Sequence, residues 1–291
     1  MRSLDILIPT RDRPTCLVAM LGSLTAQQPP SGVSAINLYL LDNGGTSVFA
    51  DFNAARQLDV LEARGIRTFY LRRPHLTGIY TVRRHLYEAG NGDIVVYIDD
   101  DVALPPGTLS SLWKGVVDTG FALAASLVID VDGLHEGEIG FDHHVGVTLR
   151  MLADQVERED LATVGDTWME MVSPFGTNLM FCREVFDTTG GWETLEQFFS
   201  DQRDSWGEDV GVCVALKSAG DAFVDISRIV LHLSPRQRSF TGWETPERLS
   251  KLLTERFGAD HPSGLHNRRR DGGGGQAVVA RLRGMATELS R

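Results

Sequence analysis

IVVYIDDD (residues 94–101) is the stretch that decides the fold. Five apolar residues run without a break into three adjacent aspartates. An apolar run this short suits a strand buried on both faces, as in a parallel sheet covered by helices. Three neighbouring carboxylates at its end repel one another. Such a cluster is easier to keep when a cation neutralises it, and hard oxygen donors suit Mg²⁺ or Mn²⁺, commonly shared with a substrate phosphate. The plainer alternative is a solvated acidic loop, but the preceding apolar run marks a strand end.

Working outward, the first half of the chain alternates strand and helix signals. DILIPT (residues 5–10) is a buried-type run, and Pro14 suits the first turn of the helical pattern that follows. INLYLLD (36–42) is a second strand closed by the turn sequence NGGT. A helix is expected over about 48–63, stopped by Gly65, then a strand over 66–71 and a helix over 80–89. Beyond the triplet come a helix near 109–117 and a strand over 121–129. Short strands alternating with helices predict an α/β protein, a mostly parallel sheet flanked by helices. Ligands of such sheets bind at the carboxyl ends of the strands, where Thr10, Asp42 and the aspartates lie. Residues 130–177 show a mixed pattern. A helix over 208–217 and two β-like runs, 222–226 and 228–233, follow. A glycine-rich linker (272–275) precedes a short amphipathic helix over 276–289, whose apolar face suits peripheral membrane association or self-association.

Composition narrows the function. The 291 residues carry 28 Lys and Arg against 39 Asp and Glu, a formal net charge of −11, which argues against a nucleic-acid partner. Three cysteines with no CxxC pair exclude a disulfide framework and a cysteine-built zinc site. No apolar run reaches the roughly 18 residues of a membrane span. The opening MRSLDILIPT is too briefly apolar for a signal peptide, so a cytoplasmic protein is expected.

Five segments, in order, resemble the family-2 type of GT-A glycosyltransferase. IPTRDRP (8–14) is similar to the family's IPTxNRP, with Asp12 in place of Asn, and LLDNGGT (40–46) to its VDDGST. GIYTVRRH (78–85) resembles GxxxARN, with Arg83 at the Arg position and Arg84 replacing Asn; YIDDDVALPPGTL (97–109) resembles the DxD motif and the helix after it. GTNLMFCREVFDTTGGW, WGEDVGVCVALKSAG and IVLHL resemble the catalytic half. The resemblance spans residues 4–233 and implies a Rossmann-like nucleotide-sugar-binding half (1–130), an acceptor-binding and catalytic half (131–235), and a tail (236–291) with a mobile loop, the linker and the last helix.

It further implies a metal-dependent, inverting transfer of a sugar from a nucleotide-diphosphate donor, UDP being the commonest case, to a hydroxyl acceptor: a sugar, a lipid-linked sugar or a small molecule. By family pattern Asp101 ligates the metal, Asp99 holds ribose or metal, Asp100 assists, and His232 is the late metal ligand. His232 would otherwise be a partly buried structural histidine. Asp42 would accept from the base, with Pro9, Thr10 and Arg13 bordering the base pocket; its alternative is an Asx turn into Gly44. The Arg83 guanidinium suits phosphate or the aspartates. Asp209, second of the Glu208-Asp209 pair at a helix start, would be the base that deprotonates the acceptor, with Glu208 as support or acceptor contact. Trp192 and Trp206 offer stacking faces to a sugar, or fill the core. Arg236 and Arg238, just past His232, are placed to engage the diphosphate from a closing loop.

Two other patterns are dismissed: GGGGQA (272–277) follows HNRRRD rather than a strand, and DDDVA lacks the Thr or Val of a haloacid-dehalogenase start. A nucleotidyltransferase or phosphohydrolase on a related sheet, or a non-catalytic nucleotide-sugar-binding module, are the competing classes.

Overall fold

The structure is a computed structural model and describes residues 1–130, 141–159, 161–171, 177–199, 208–233 and 274–288. The expected strands and helices of the first half form with shifted ends: β1 (Arg2–Thr10), α1 (Pro14–Thr25), β2 (Val33–Asp42), α2 (Phe52–Ala63), β3 (Arg67–Arg72), α3 (Ile79–Ala89) and β4 (Ile94–Ile98). The helix expected from residue 48 is divided. A 3₁₀ turn (Val48–Ala50) comes first, and Asp51 then caps α2, its carboxylate accepting from the amides of Asn53 and Ala54 at 2.8 and 3.1 Å.

β5 (Val102–Ala103), α4 (Thr108–Trp113), a π-turn over Lys114–Asp118 and β6 (Leu123–Asp130) follow. The mixed-pattern region contains α5 (Phe141–Glu159), β7 (Thr163–Val164) and β8 (Trp168–Glu170). Then come β9 (Asn178–Cys182), α6 (Arg183–Thr188), α7 (Gly191–Phe199), α8 (Glu208–Ala219) and β10 (Ala222–His232). The two β-like runs are thus one strand. The break between them is a bulge at Asp225–Ile229, where Asp225 accepts from the amide and hydroxyl of Ser227 at 2.7 and 2.6 Å.

Among the described residues, all ten strands belong to one sheet, ordered β3-β2-β1-β4-β9-β6-β10-β8-β7, with β5 paired to β10. β1 to β4 are parallel, and so are β6 and β10; β9 enters antiparallel between β4 and β6. Strands from both sides of residue 130 therefore share one hydrogen-bonded sheet. Alternation within the strands feeds two cores. Ile94, Val96 and Ile98 face α1, α2 and α4, while Val95 and Tyr97 face α3, α7 and α8.

The last described helix (Gly274–Glu288) corrects the expectation of a free amphipathic face. Val278, Val279, Leu282 and Ala286 are buried in the second of these cores with Leu149, Ala153 and Val156 of α5. Arg283 closes the seam to Asp154 and Glu157 at 3.0 and 2.8 Å. The apolar stripe is spent on the chain's own fold. Among the described residues, no helix is long and apolar enough to cross a membrane.

Candidate active site

The strand order turns back at β1, whose neighbours are β2 and β4. In open α/β sheets such a switch point leaves a crevice at the carboxyl ends of the strands. β1 ends on Thr10 and β4 runs into Asp99, and a hydrogen bond joins the two ends: Thr10 Oγ1 donates to Asp100 Oδ2 at 2.7 Å. Asp100 has no exposed surface, and burial pushes its carboxyl up to about 7 although Arg13 opposes the shift. Arg13 donates to Asp101 Oδ2 at 2.5 Å and pairs with Asp100 as well. Both Thr10 and Arg13, expected beside the base, are here on the aspartate triplet. Pro9 is buried within β1 opposite Leu41.

The second half of the chain delivers two more groups to this edge. β10 pairs with β5 immediately after the triplet, His232 lying opposite Val102, and the Leu233 amide donates to the Asp101 carbonyl at 2.6 Å. That register sets His232 Nε2 3.4 Å from Asp101 Oδ1. The histidine and the aspartate, far apart in sequence, therefore converge at this edge.

Glu208 and Asp209 open α8 with different surroundings. Glu208 is buried and pairs with Arg83 at 3.0 Å; Asp209 is half-buried, and its own Oδ1 accepts from the Val210 amide at 2.8 Å. Arg83, only 3 % exposed, reaches across from α3. Its other arm donates to Asp99 Oδ1 at 2.7 Å, and the Tyr97 hydroxyl donates to its carbonyl at 3.0 Å. Arg83 is thus a buried hub between the triplet and the start of α8, with both arms on carboxylates rather than open to a phosphate. One guanidinium faces the buried Glu208 and the part-buried Asp99. Burial accordingly holds Asp99 above the usual carboxylate range and pushes Glu208 up to about 8.

Asp42, expected to meet the base, is turned inward. It has no exposed surface, and its oxygens accept from the amides of Gly44 and Val48, both at 2.9 Å, and from the Tyr70 hydroxyl at 2.6 Å. Arg72 lies 3.5 Å away. Its place in the structure is the Asx turn, organising the loop after β2. Asp12 approaches that loop from β1 in the left-handed region, at φ 53°, and accepts from the Thr46 amide at 3.1 Å. Asp and Asn tolerate this conformation better than other non-glycine residues, which explains an acid there.

A Cβ on Gly44 would stand 2.7 Å from the Asp12 backbone nitrogen and 2.9 Å from its Cγ. Gly44→Ala is therefore expected to force the two loops apart and cost about 1–3 kcal/mol. Urea denaturation measures this, and wild-type stability would show that the loops part freely.

Trp192 requires a correction. It is 4 % exposed, with its ring packed against Tyr80, Tyr87, Tyr97 and Phe186, so it is a core residue with no face for a sugar. Trp206, Arg236 and Arg238 lie outside the described residues. Sequence reasoning missed Tyr70 and Arg72 around Asp42. It also missed Thr177, whose carbonyl accepts from the Asp99 amide at 3.1 Å just before Asn178 opens β9.

Among the described residues, no three His, Cys, Asp or Glu side chains form a metal cage. Asp101 and His232 would offer a divalent ion one carboxylate and one imidazole. This fits Mg²⁺ or Mn²⁺, which are usually held by one or two protein carboxylates with water and substrate phosphates completing the shell.

The Rossmann-like sheet with its strand-end acids defines a GT-A glycosyltransferase fold. Residues 5–189 match the model of the family described as glycosyl transferase family 2, and the chain belongs to that family. No curated protein sequence matches it. Similar solved structures include GalNAc-T7 with UDP, GalNAc and Mn²⁺ (TM-score 0.58, 12 % identity, covering 100 % of this chain and 55 % of that one). The mannosyltransferase PcManGT from Pyrobaculum calidifontis, with GDP-Man and Mn²⁺, gives a TM-score of 0.55 at 13 % identity, covering 99 % of this chain and 74 % of that one. S. aureus TarS 1-349 with UDP-GlcNAc gives 0.58 at 11 % identity, covering 87 % and 66 %. The chain thus spans 55 % of GalNAc-T7 and 66 % of that TarS chain.

Proposed function

We propose that the protein is a metal-dependent, inverting glycosyltransferase that moves a sugar from a nucleotide-diphosphate donor, with UDP favoured, to a hydroxyl acceptor. The carrying observation is the meeting of Asp101, His232 and the Glu208-Asp209 pair at one sheet edge, with Arg83 tying the pair to Asp99. The solved relatives named above, two of them with Mn²⁺ and all three with nucleotides or nucleotide sugars, support it.

Asp101 and His232 would hold the divalent ion, with Asp99 beside the ribose. When bound, the ion supplies Lewis-acid neutralisation of the departing diphosphate. Asp209 is the base. It takes the proton from the acceptor hydroxyl as that oxygen attacks the anomeric carbon from the face opposite the leaving group, and the bond to the diphosphate breaks. Glu208 is buried against Arg83 and positions the start of α8, while Asp209, half-buried at the same helix start, is the member of the pair assigned to the acceptor.

Asp209→Asn keeps the shape and removes the base. It is expected to lower kcat about 10²–10⁴-fold with UDP affinity little changed. Loss of UDP affinity with kcat preserved would move Asp209 to the donor site and overturn the base assignment.

A further inference from the structure

Arg13 occupies a position that arginine does not serve. It is the N-cap of α1 and makes no side-chain cap bond. Ser, Thr, Asp and Asn prevail at N-caps because they accept from the first amides of a helix, and a guanidinium has no acceptor. Arg13 instead spends its fork on the aspartates, with Nη1 donating to Asp101 Oδ2 at 2.5 Å and Nη2 reaching Asp100. The two arginines of the triplet differ in access. The Arg83 side chain is 4 % exposed and holds Asp99 from within the protein, whereas that of Arg13 is 38 % exposed and is the one open to solvent.

We propose that Arg13 is a built-in counter-cation. It occupies Asp101 until a divalent ion and the donor diphosphate arrive, and then transfers to the diphosphate. The inference rests on the metal-dependent reading above. Asp101 has one oxygen toward His232 and the other toward Arg13. A dication held by Asp101 and His232 would stand beside the guanidinium, and like charges at that separation repel. A diphosphate offers the planar fork a pair of anionic oxygens in place of the carboxylate it leaves. Metal alone must therefore compete with Arg13, while metal with nucleotide need not. The arginine makes metal binding depend on the donor.

Mn²⁺ binding to the full chain tests this, followed by electron paramagnetic resonance with and without UDP. Arg13→Gln is expected to bind Mn²⁺ alone on the order of tenfold more tightly than wild type, the effect of losing one charge-assisted hydrogen bond. UDP should then raise its Mn²⁺ affinity less than it does for wild type. Arg13→Lys keeps the charge but not the fork, so it should fall between the two. It also serves where the glutamine variant fails to fold, which a thermal melt shows. Equal or weaker binding of Mn²⁺ alone by the folded variants, with UDP-dependent binding intact in wild type, overturns the counter-cation. Absence of Mn²⁺ binding in every protein even with UDP overturns the metal-dependent reading itself, and the counter-cation with it.

Discussion

Asp101→Ala is expected to abolish glycosyl transfer, by about 10³-fold or more, with the melting temperature close to that of wild type. The size follows from removing the carboxylate that would hold the ion on the leaving diphosphate, a contribution of several kcal/mol to the transition state. The fold should survive because the contact docking β10 to this segment is made by the backbone: the Leu233 amide donates to the Asp101 carbonyl whatever the side chain. Arg13 keeps Asp100 as a partner. Activity assays with nucleotide sugars, with and without EDTA, check this. Full activity in EDTA, or a fully active Asp101→Ala, would sink the metal-dependent mechanism.

Arg83→Met is expected to be the most destabilising single change at the site. Above the pH at which Glu208 ionises, it leaves Asp99 and Glu208 with no cation between them, and breaking a buried pair from one side costs about 3–5 kcal/mol. Adding Glu208→Gln to Arg83→Met should recover much of that loss, since one of the two carboxylates then disappears. The acid also gives the site a pH dependence. Glu208 has its folded-state carboxyl raised from 4.5 to about 8, so its contribution to stability is fully present below pH 4.5 and is lost as pH rises toward 8. Wild type should therefore lose stability relative to Glu208→Gln across that window. Urea denaturation of the two proteins at several pH values checks the sign, and a constant difference from pH 4.5 to 8 would show that Glu208 does not titrate there.

The first four strands and the helices between them were legible because each is marked locally. Apolar runs of strand length, Pro14 at a helix start and glycines at helix ends fix element type without reference to the rest of the chain. The candidate site was legible to the same extent. The triplet, Glu208, Asp209 and His232 stand out because they sit at the ends of recognisable elements, and Arg83 because its helix segment resembles a family motif. Which of them touch was not. That Arg83 serves Asp99 and Glu208 together depends on α3 and α8 packing on one face of the sheet, and no spacing along the chain encodes that distance.

Amphipathic pattern likewise fixes that a face is buried but not what buries it. The last helix looked ready for a membrane or a partner and packs on α5, and Trp192 looked ready for a sugar and fills the core. From its sequence Asp42 reads first as a base contact and second as a turn former; in the structure the amides of Gly44 and Val48 and the Tyr70 hydroxyl close around it. By itself the sequence determined the α/β class, the early strand–helix alternation and the chemistry gathered at the strand ends, because these follow from local periodicity and residue type. Tertiary structure alone decided that β9 enters antiparallel between β4 and β6, that β10 brings His232 to Asp101, and that Arg13 rests on the triplet. Each of those pairings closes a long loop between groups whose affinity for one another appears only once the sheet has brought them together.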